Sequence, residues 1–318
     1  MISIITPCFN EEDVLNAFYD EIQKVMKKFD FELIFVDDGS QDRTLHILQE
    51  LGNKDQRVRY LSFSRNFGKE AAMLAGLTYA RGEAAVIMDS DLQHPPSMIP
   101  KMIEAYQEGY DQVIAKRNRK DEKWTRSFTA KLYYKLINHF VDHITLTDGV
   151  GDFRLLSRRA IDALLALSEY NRFSKGLFSW IGFKEHLLEY ENVDRALGQS
   201  KWTFFKLLNY GIDGIISFNN RPLRVAIYMG LFTMSIDLLY VLYILIKTIV
   251  HGVDVPGYVT IISAVLLLGG IQMLFLGVIG EYIGRIYYEA KKRPHYVIAE
   301  DNVSGQIKKQ QQKQRIAH

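Results

Sequence analysis

The sequence predicts an α/β domain built on a doubly wound, mostly parallel sheet, followed by two helices long enough to cross a membrane. Three observations predict it. Short apolar, β-branched runs alternate with helical stretches through the first third of the chain. Each of the first four runs leads directly into a polar, charged cluster. Between residues 225 and 282 the chain is dominated by Leu, Ile, Val, Met, Phe and Tyr, while the residues before 204 have a mixed, globular texture.

The strands are expected at 2–6, 32–36, 58–63, 84–88 and 112–115, as buried parallel strands. Helices are expected at about 11–29, 43–51, 69–80 and 96–107, with Asp42 and Ser97 in cap regions and Gly82 and Gly109 as stop signals. In such sheets a ligand sits beyond the carboxyl ends of the strands. Those ends carry Asn10-Glu11-Glu12, Asp37-Asp38-Gly39-Ser40, Ser64-Arg65-Asn66-Phe67-Gly68-Lys69 and Asp89-Ser90-Asp91-Leu92-Gln93-His94-Pro95. Four polar strand ends in succession point to one shared site.

The 318 residues leave room for one large domain and an additional segment. Two apolar stretches, about 225–250 and 258–283, each have the length needed to span a bilayer. The loop at 251–257 between them holds no Lys or Arg. Lys201, Lys206, Arg221 and Arg224 precede the pair, and Arg285, Lys291, Lys292 and Arg293 follow it. The positive-inside rule then places both termini and the α/β domain in the cytoplasm. The expected organisation is a catalytic domain at 1–200, a juxtamembrane amphipathic segment at 201–222, a hairpin at 223–285 and a basic polar tail at 286–318. Residues 203–218 read as a surface helix, and the chain from Glu300 onward reads as disordered.

Composition narrows the function. A net charge of +2 gives no basis for nucleic-acid binding. The single cysteine, Cys8, excludes an internal disulfide framework. The opening MISIITPCFN reads as a first strand rather than a secretory signal. A mean hydropathy of −0.07 hides the apolar hairpin, because the average runs over the whole chain.

Asp89-Ser90-Asp91 places two carboxylates at one strand end, where they can share a hard divalent cation that also holds a diphosphate. The same three residues could serve as a capping turn before Pro95. Asp37 and Asp38 offer acceptors for a base or ribose, with Gly39 allowing a tight turn, or they cap the helix that follows.

These motifs, in order from Thr6-Pro7-Cys8-Phe9-Asn10-Glu11-Glu12 to Asp89-Ser90-Asp91-Leu92-Gln93-His94-Pro95, resemble family 2 of the inverting glycosyltransferases, which have the GT-A (Rossmann-like) fold. Gly151-Asp152-Phe153-Arg154-Leu155-Leu156-Ser157-Arg158 and the two terminal spans resemble, more narrowly, the bacterial polyprenyl-phosphate glycosyltransferases, with dolichyl-phosphate mannose synthases as distant cousins. The resemblance covers about residues 1–295. It implies transfer of glucose or N-acetylglucosamine from a UDP-hexose to undecaprenyl phosphate at a lipid bilayer, with inversion and with Mg2+ or Mn2+ as cofactor.

By that resemblance Pro7, Glu11, Asp37 and Asp38 hold the uridine end. Asp89, Asp91 and Gln93 hold metal, diphosphate and sugar, and Lys69 belongs to the donor side. Arg117 follows the fifth strand, where it reaches a phosphate or lies in a solvated basic loop. Arg195 and Lys201, in Arg195-Ala196-Leu197-Gly198-Gln199-Ser200-Lys201-Trp202, suit the acceptor phosphate. Asp152 occupies the place of the family's catalytic base. A phosphate monoester with a second pKa of about 6 is already largely dianionic at neutral pH, so the role of Asp152 stays open between base and positioning group. Arg154 is either a partner for phosphate or a structural partner of Asp152. The aromatic and basic stretch at 171–183 either touches the membrane or packs in the core with its two cations exposed.

Asp237 and Glu281 are ionisable groups within the apolar stretches. Glu281 has Arg285 one helical turn away, and Asp237 suits a contact between the two helices or between copies of the chain. Two other classes share some of these features: a processive polysaccharide synthase and a non-catalytic membrane scaffold. The Q-x-x-R-W element and additional spans of the former are missing. The acidic triad Asp89, Asp91 and Asp152 counts against the latter.

Overall fold

The computed structural model describes residues 1–118, 149–167, 169–191, 221–251 and 257–303, with only some of the side chains between 221 and 274. Four parallel strands form the centre of one sheet: β1 (Ile2–Cys8), β2 (Phe31–Asp37), β3 (Val58–Phe63) and β4 (Ala84–Ile87). They lie in the order β3-β2-β1-β4. Helices α1 (Leu15–Val25), α2 (Thr44–Lys54) and α3 (Lys69–Tyr79) connect them. A short 3-10 turn, Pro96–Met98, leads into α4 (Ile99–Gln107).

The sheet is covered on both faces, which is why its strands read as continuous apolar runs. Ile4, Leu33 and Phe35 pack on one face with α1, α2 and α4. Ile5, Ile34 and Val36 face α3 on the other. Leu15, Phe18, Tyr19 and Ile22 form the buried stripe of α1, at about 1.5–3 kcal/mol for each fully buried large apolar side chain. α3 approaches the sheet more closely. A Cβ on Gly76 would meet Ile5 Cγ2 at 2.2 Å, and Ala71, Ala72 and Ala75 are buried around it.

The fifth expected strand is present as β5 (Gln112–Asn118), but it does not pair with β4. β6 (Val150–Ser157) lies between them, antiparallel to both. Phe153 and Leu155 join the core on one face and Leu156 the core on the other, so β6 carries the usual alternation. Gly151, Asp152 and Arg154 interrupt its apolar signal in the sequence. β7 (Glu185–Glu191) extends the sheet beyond β5 in parallel. α5 (Arg158–Ala166) and α6 (Ser174–Trp180) cover the same face as α3.

α7 (Arg221–His251) and α8 (Tyr258–Lys291) coincide with the two apolar stretches and lie against each other. Among the described residues no helix is long and apolar enough to cross a membrane. Many large apolar side chains of the pair are nevertheless exposed, with Leu238 at 70% and Met273 at 73%. α8 runs on past the expected end of the apolar stretch to Lys291 and then meets the sheet domain. Glu289 Oε1 accepts the Tyr170 N–H at 2.6 Å, and Tyr170 stacks on Tyr288 and His295.

The expectation of disorder from Glu300 onward is corrected for residues 300–303. β8 (Ile298–Asp301) pairs antiparallel with β3 at the sheet edge. Asn302 Oδ1 accepts the Tyr60 N–H at 2.8 Å, Glu300 accepts from Gln49 and Tyr60, and Val303 is buried. A four-residue edge strand held by a long-range partner leaves no periodic signal of its own.

Candidate active site

The carboxyl ends of β1 to β4 lie along one edge, as the sequence predicts. Two of the acidic residues there build the edge itself. Asp37 accepts the Ser40 N–H at 3.0 Å and the Ser62 hydroxyl at 2.7 Å. Asp38 accepts the Phe67 N–H at 2.6 Å and the Gly68 N–H at 2.9 Å. Burial raises the Asp38 pKa, opposed by those two hydrogen bonds. Gly39 makes the turn with φ of +70°, and a Cβ there would stand 2.5 Å from the Arg65 backbone. The loop after β3 is therefore clamped to the end of β2.

Pro7 lies opposite Val36 on β1. The Glu11 N–H donates to Thr44 Oγ1 at 2.9 Å, and the Gln41 N–H donates to Asn10 Oδ1 at 2.9 Å. Residues 10–11 and 40–44 are thus stitched together, with the partly buried Glu11 side chain close enough to Cys8 to raise the thiol pKa, after burial and Asp37.

The polar centre of the site lies between β4, β6 and α3. Ile87 pairs with Arg154 across the antiparallel ladder. Two residues further along each strand, that register brings Asp89 and Asp152 side by side, although they are far apart in sequence. Lys69, the first residue of α3, joins them. Its Nζ lies 2.6 Å from Asp89 Oδ1, 2.9 Å from Asp89 Oδ2 and 2.8 Å from Asp152 Oδ2.

Burial pushes the Asp152 pKa up, but Lys69, Lys175 and Arg154 outweigh it and hold the carboxyl well below its usual range. Burial likewise works against the Lys69 charge, and Asp152 and Asp89 overcome it, holding the ammonium above its usual range. Both groups stay ionised.

Asp91 sits two residues beyond Asp89. Its Oδ1 accepts the Gln93 N–H at 3.1 Å, and Leu92 adopts φ of +56° in the same turn. Gln93 is partly exposed. His94, which the motif contains but sequence reasoning gave no role, stacks on Phe153 at 4.9 Å. Its Nδ1 accepts the Asp89 N–H at 3.4 Å, and burial lowers its pKa, favouring the neutral ring that can accept.

Arg154 is placed beneath the site. It is 2% exposed, its guanidinium lies 3.8 Å over the Phe178 ring, and Nη2 donates to the Gly151 carbonyl at 2.9 Å. Burial brings its pKa down to about 10, opposed by Asp152 and Glu185. Arg154 and Asp152 are close enough for each to favour the charged form of the other. Arg117 lies near the end of β5 opposite Tyr190, with its N–H on the Gly149 carbonyl at 3.0 Å.

Two residues that sequence reasoning gave no part complete the cluster. Lys175, at the start of α6, is close enough to Asp152 to lower its pKa, and Glu70, beside Lys69, accepts the Ser174 N–H. Phe173, Leu177 and Phe178 of the same stretch pack in the core, while Arg172 and Lys175 are partly buried rather than exposed. Arg195, Lys201 and residues 203–218 lie outside the described residues, as does the Asp237 side chain.

Among the described residues no group of three or more His, Cys, Asp or Glu side chains could hold a metal ion. Asp89 and Asp91 nonetheless fit a hard cation of the Mg2+ type, which is bound through one or two carboxylates and completes its shell with water and substrate phosphates.

The chain is similar to known proteins along most of its length. The glycosyl transferase family 2 model matches residues 3–165, and the GtrB C-terminal hairpin model matches residues 221–286. A putative glycosyltransferase, CsbB, of Bacillus subtilis is 54% identical over 95% of this chain and 92% of its own length. A bactoprenol glucosyl transferase of Shigella phage SfV is 43% identical over 93% of this chain and 97% of its own. Among solved structures, glucosyl-3-phosphoglycerate synthase from Mycobacterium tuberculosis aligns with a TM-score of 0.48 at 20% identity, covering 68% of this chain and 79% of that one.

Proposed function

This chain belongs to glycosyl transferase family 2, and on that premise we propose that it moves glucose or N-acetylglucosamine from a UDP-sugar to undecaprenyl phosphate with inversion. The observation that carries the reading is the Asp89–Lys69–Asp152 bridge. It brings a donor-side carboxylate and an acceptor-side carboxylate to one point at the carboxyl edge of the sheet. The name of the 43% identical phage relative, a bactoprenol glucosyl transferase, supports a polyprenyl acceptor.

An acceptor phosphate oxygen attacks the anomeric carbon as the bond to UDP breaks. Displacement from the opposite face turns an α-linked donor into a β-linked product. The phosphate is already largely dianionic at neutral pH, and Asp152 is held ionised by three cations. A carboxylate with so low a pKa is a weak base, so Asp152 orients the acceptor and the cations around it. A divalent cation held by Asp89 and Asp91 would neutralise charge on the leaving diphosphate. Pro7, Glu11 and Gln93 line the donor side, and Arg117, Arg195 and Lys201 supply positive charge for phosphate.

α7 and α8 form the membrane hairpin of this reading, and the matched C-terminal hairpin at 221–286 supports it. Their basic flanks put the α/β domain and both termini on the cytoplasmic face. The test uses the purified full-length protein in detergent with undecaprenyl phosphate and either UDP-glucose or UDP-N-acetylglucosamine. A lipid-linked hexose, identified by mass, with a β-anomeric signal is expected from one donor. UDP binding with no lipid-linked product from either donor would overturn the assignment.

A further inference from the structure

Building on the divalent-cation reading of Asp89 and Asp91, we propose that Lys69 is the resident cation of the donor-free site. A divalent ion displaces it from Asp89, and the freed ammonium then pairs with the donor diphosphate. The geometry carries this. Lys69 Nζ lies within 2.9 Å of both Asp89 oxygens, so it covers the side of the carboxylate that a metal would approach. An ammonium has three donors, and here at least two are spent on Asp89 and Asp152.

Without a cation, Asp89, Asp91 and Asp152 would crowd negative charge into one corner of the sheet edge. Lys69 offsets that charge in the absence of ligand. When a divalent ion takes Asp89, two cations would compete for one carboxylate, and the flexible four-carbon stem lets the ammonium move. Its contact with Asp152, at 2.8 Å, holds it in the site while it moves. The diphosphate is the anion that arrives with the metal.

Calorimetric titration of Mn2+ into nucleotide-free full-length protein tests the first half, and titration of UDP into Mn2+-loaded protein tests the second. For Lys69→Met, Mn2+ binding without nucleotide should tighten about threefold, the scale of a partly exposed ion pair. UDP binding in the presence of Mn2+ should weaken by a similar factor. A merely structural role for Lys69 would weaken both. Lys69→Gln serves as the second variant if Lys69→Met does not fold. Mn2+ affinity that is unchanged or weaker, or UDP affinity that is unchanged, overturns the proposal. Wild-type protein that binds no Mn2+ even with UDP would overturn the metal reading itself, a separate result from wild type and variant binding Mn2+ equally.

Discussion

Ser174 donates both its backbone N–H and its hydroxyl to the Glu70 carboxylate, tying the start of α6 to the start of α3. Lys69 and Lys175, each next to one of these partners, are thereby held around Asp152. Burial pushes the Glu70 pKa from 4.5 up to about 7, opposed by the Ser174 hydrogen bonds and reinforced by Asp152. Between those two values the folded chain binds a proton more readily than the unfolded chain. This contribution to stability is therefore fully present below the unfolded value and is lost as pH rises through about 7. Glu70→Gln is neutral at every pH, so its melting temperature relative to wild type should rise between pH 5 and pH 8. A difference that stays constant would mean an ordinary carboxyl at Glu70.

Asp152→Asn separates a base from a positioning group. The acceptor phosphate has passed its second pKa by about pH 7, and the cations around Asp152 leave it little tendency to take a proton. The rate deficit of Asp152→Asn should stay flat from pH 7 to pH 9 at saturating donor. A deficit that shrinks about tenfold for each pH unit would restore the base.

Asn302 ties the described residues after α8 to the sheet. Its side chain accepts from the Tyr60 N–H at 2.8 Å and donates to the Val58 carbonyl at 3.2 Å. Asn302→Ala leaves both backbone groups of β3 without that partner, which should cost about 1–3 kcal/mol. Thermal unfolding in detergent checks it, and an unchanged midpoint would show that these two hydrogen bonds of Asn302 add nothing to stability.

The hairpin makes a topological prediction. A cysteine placed between residues 251 and 257 should react with a membrane-impermeant thiol reagent added to intact cells, and one at 318 should not. Cys8→Ser provides a background without other thiols. Labelling at 318 would refute the two-span arrangement and the charge rule behind it together.

Much of this protein was legible in its sequence because buried parallel strands write continuous apolar runs, and the polar residues after each run mark the edge where ligands bind. Local periodicity gave four central strands and their helices to within a few residues. It also gave Asp89, Asp91 and Lys69 as neighbours of one edge. What it could not give was partnership between distant segments. The insertion of β6 between β4 and β5 depends on pairing across long stretches of chain, and it alone brings Asp152 beside Asp89. The same holds for β8 on β3, for Arg154 lying under the site on Phe178, and for Asp37 and Asp38 bonded to Ser62 and to the loop after β3. A residue type and its spacing report what a side chain can do. Which groups it does it with is set by three-dimensional packing, where long-range strand register and the need to satisfy buried charge decide the outcome.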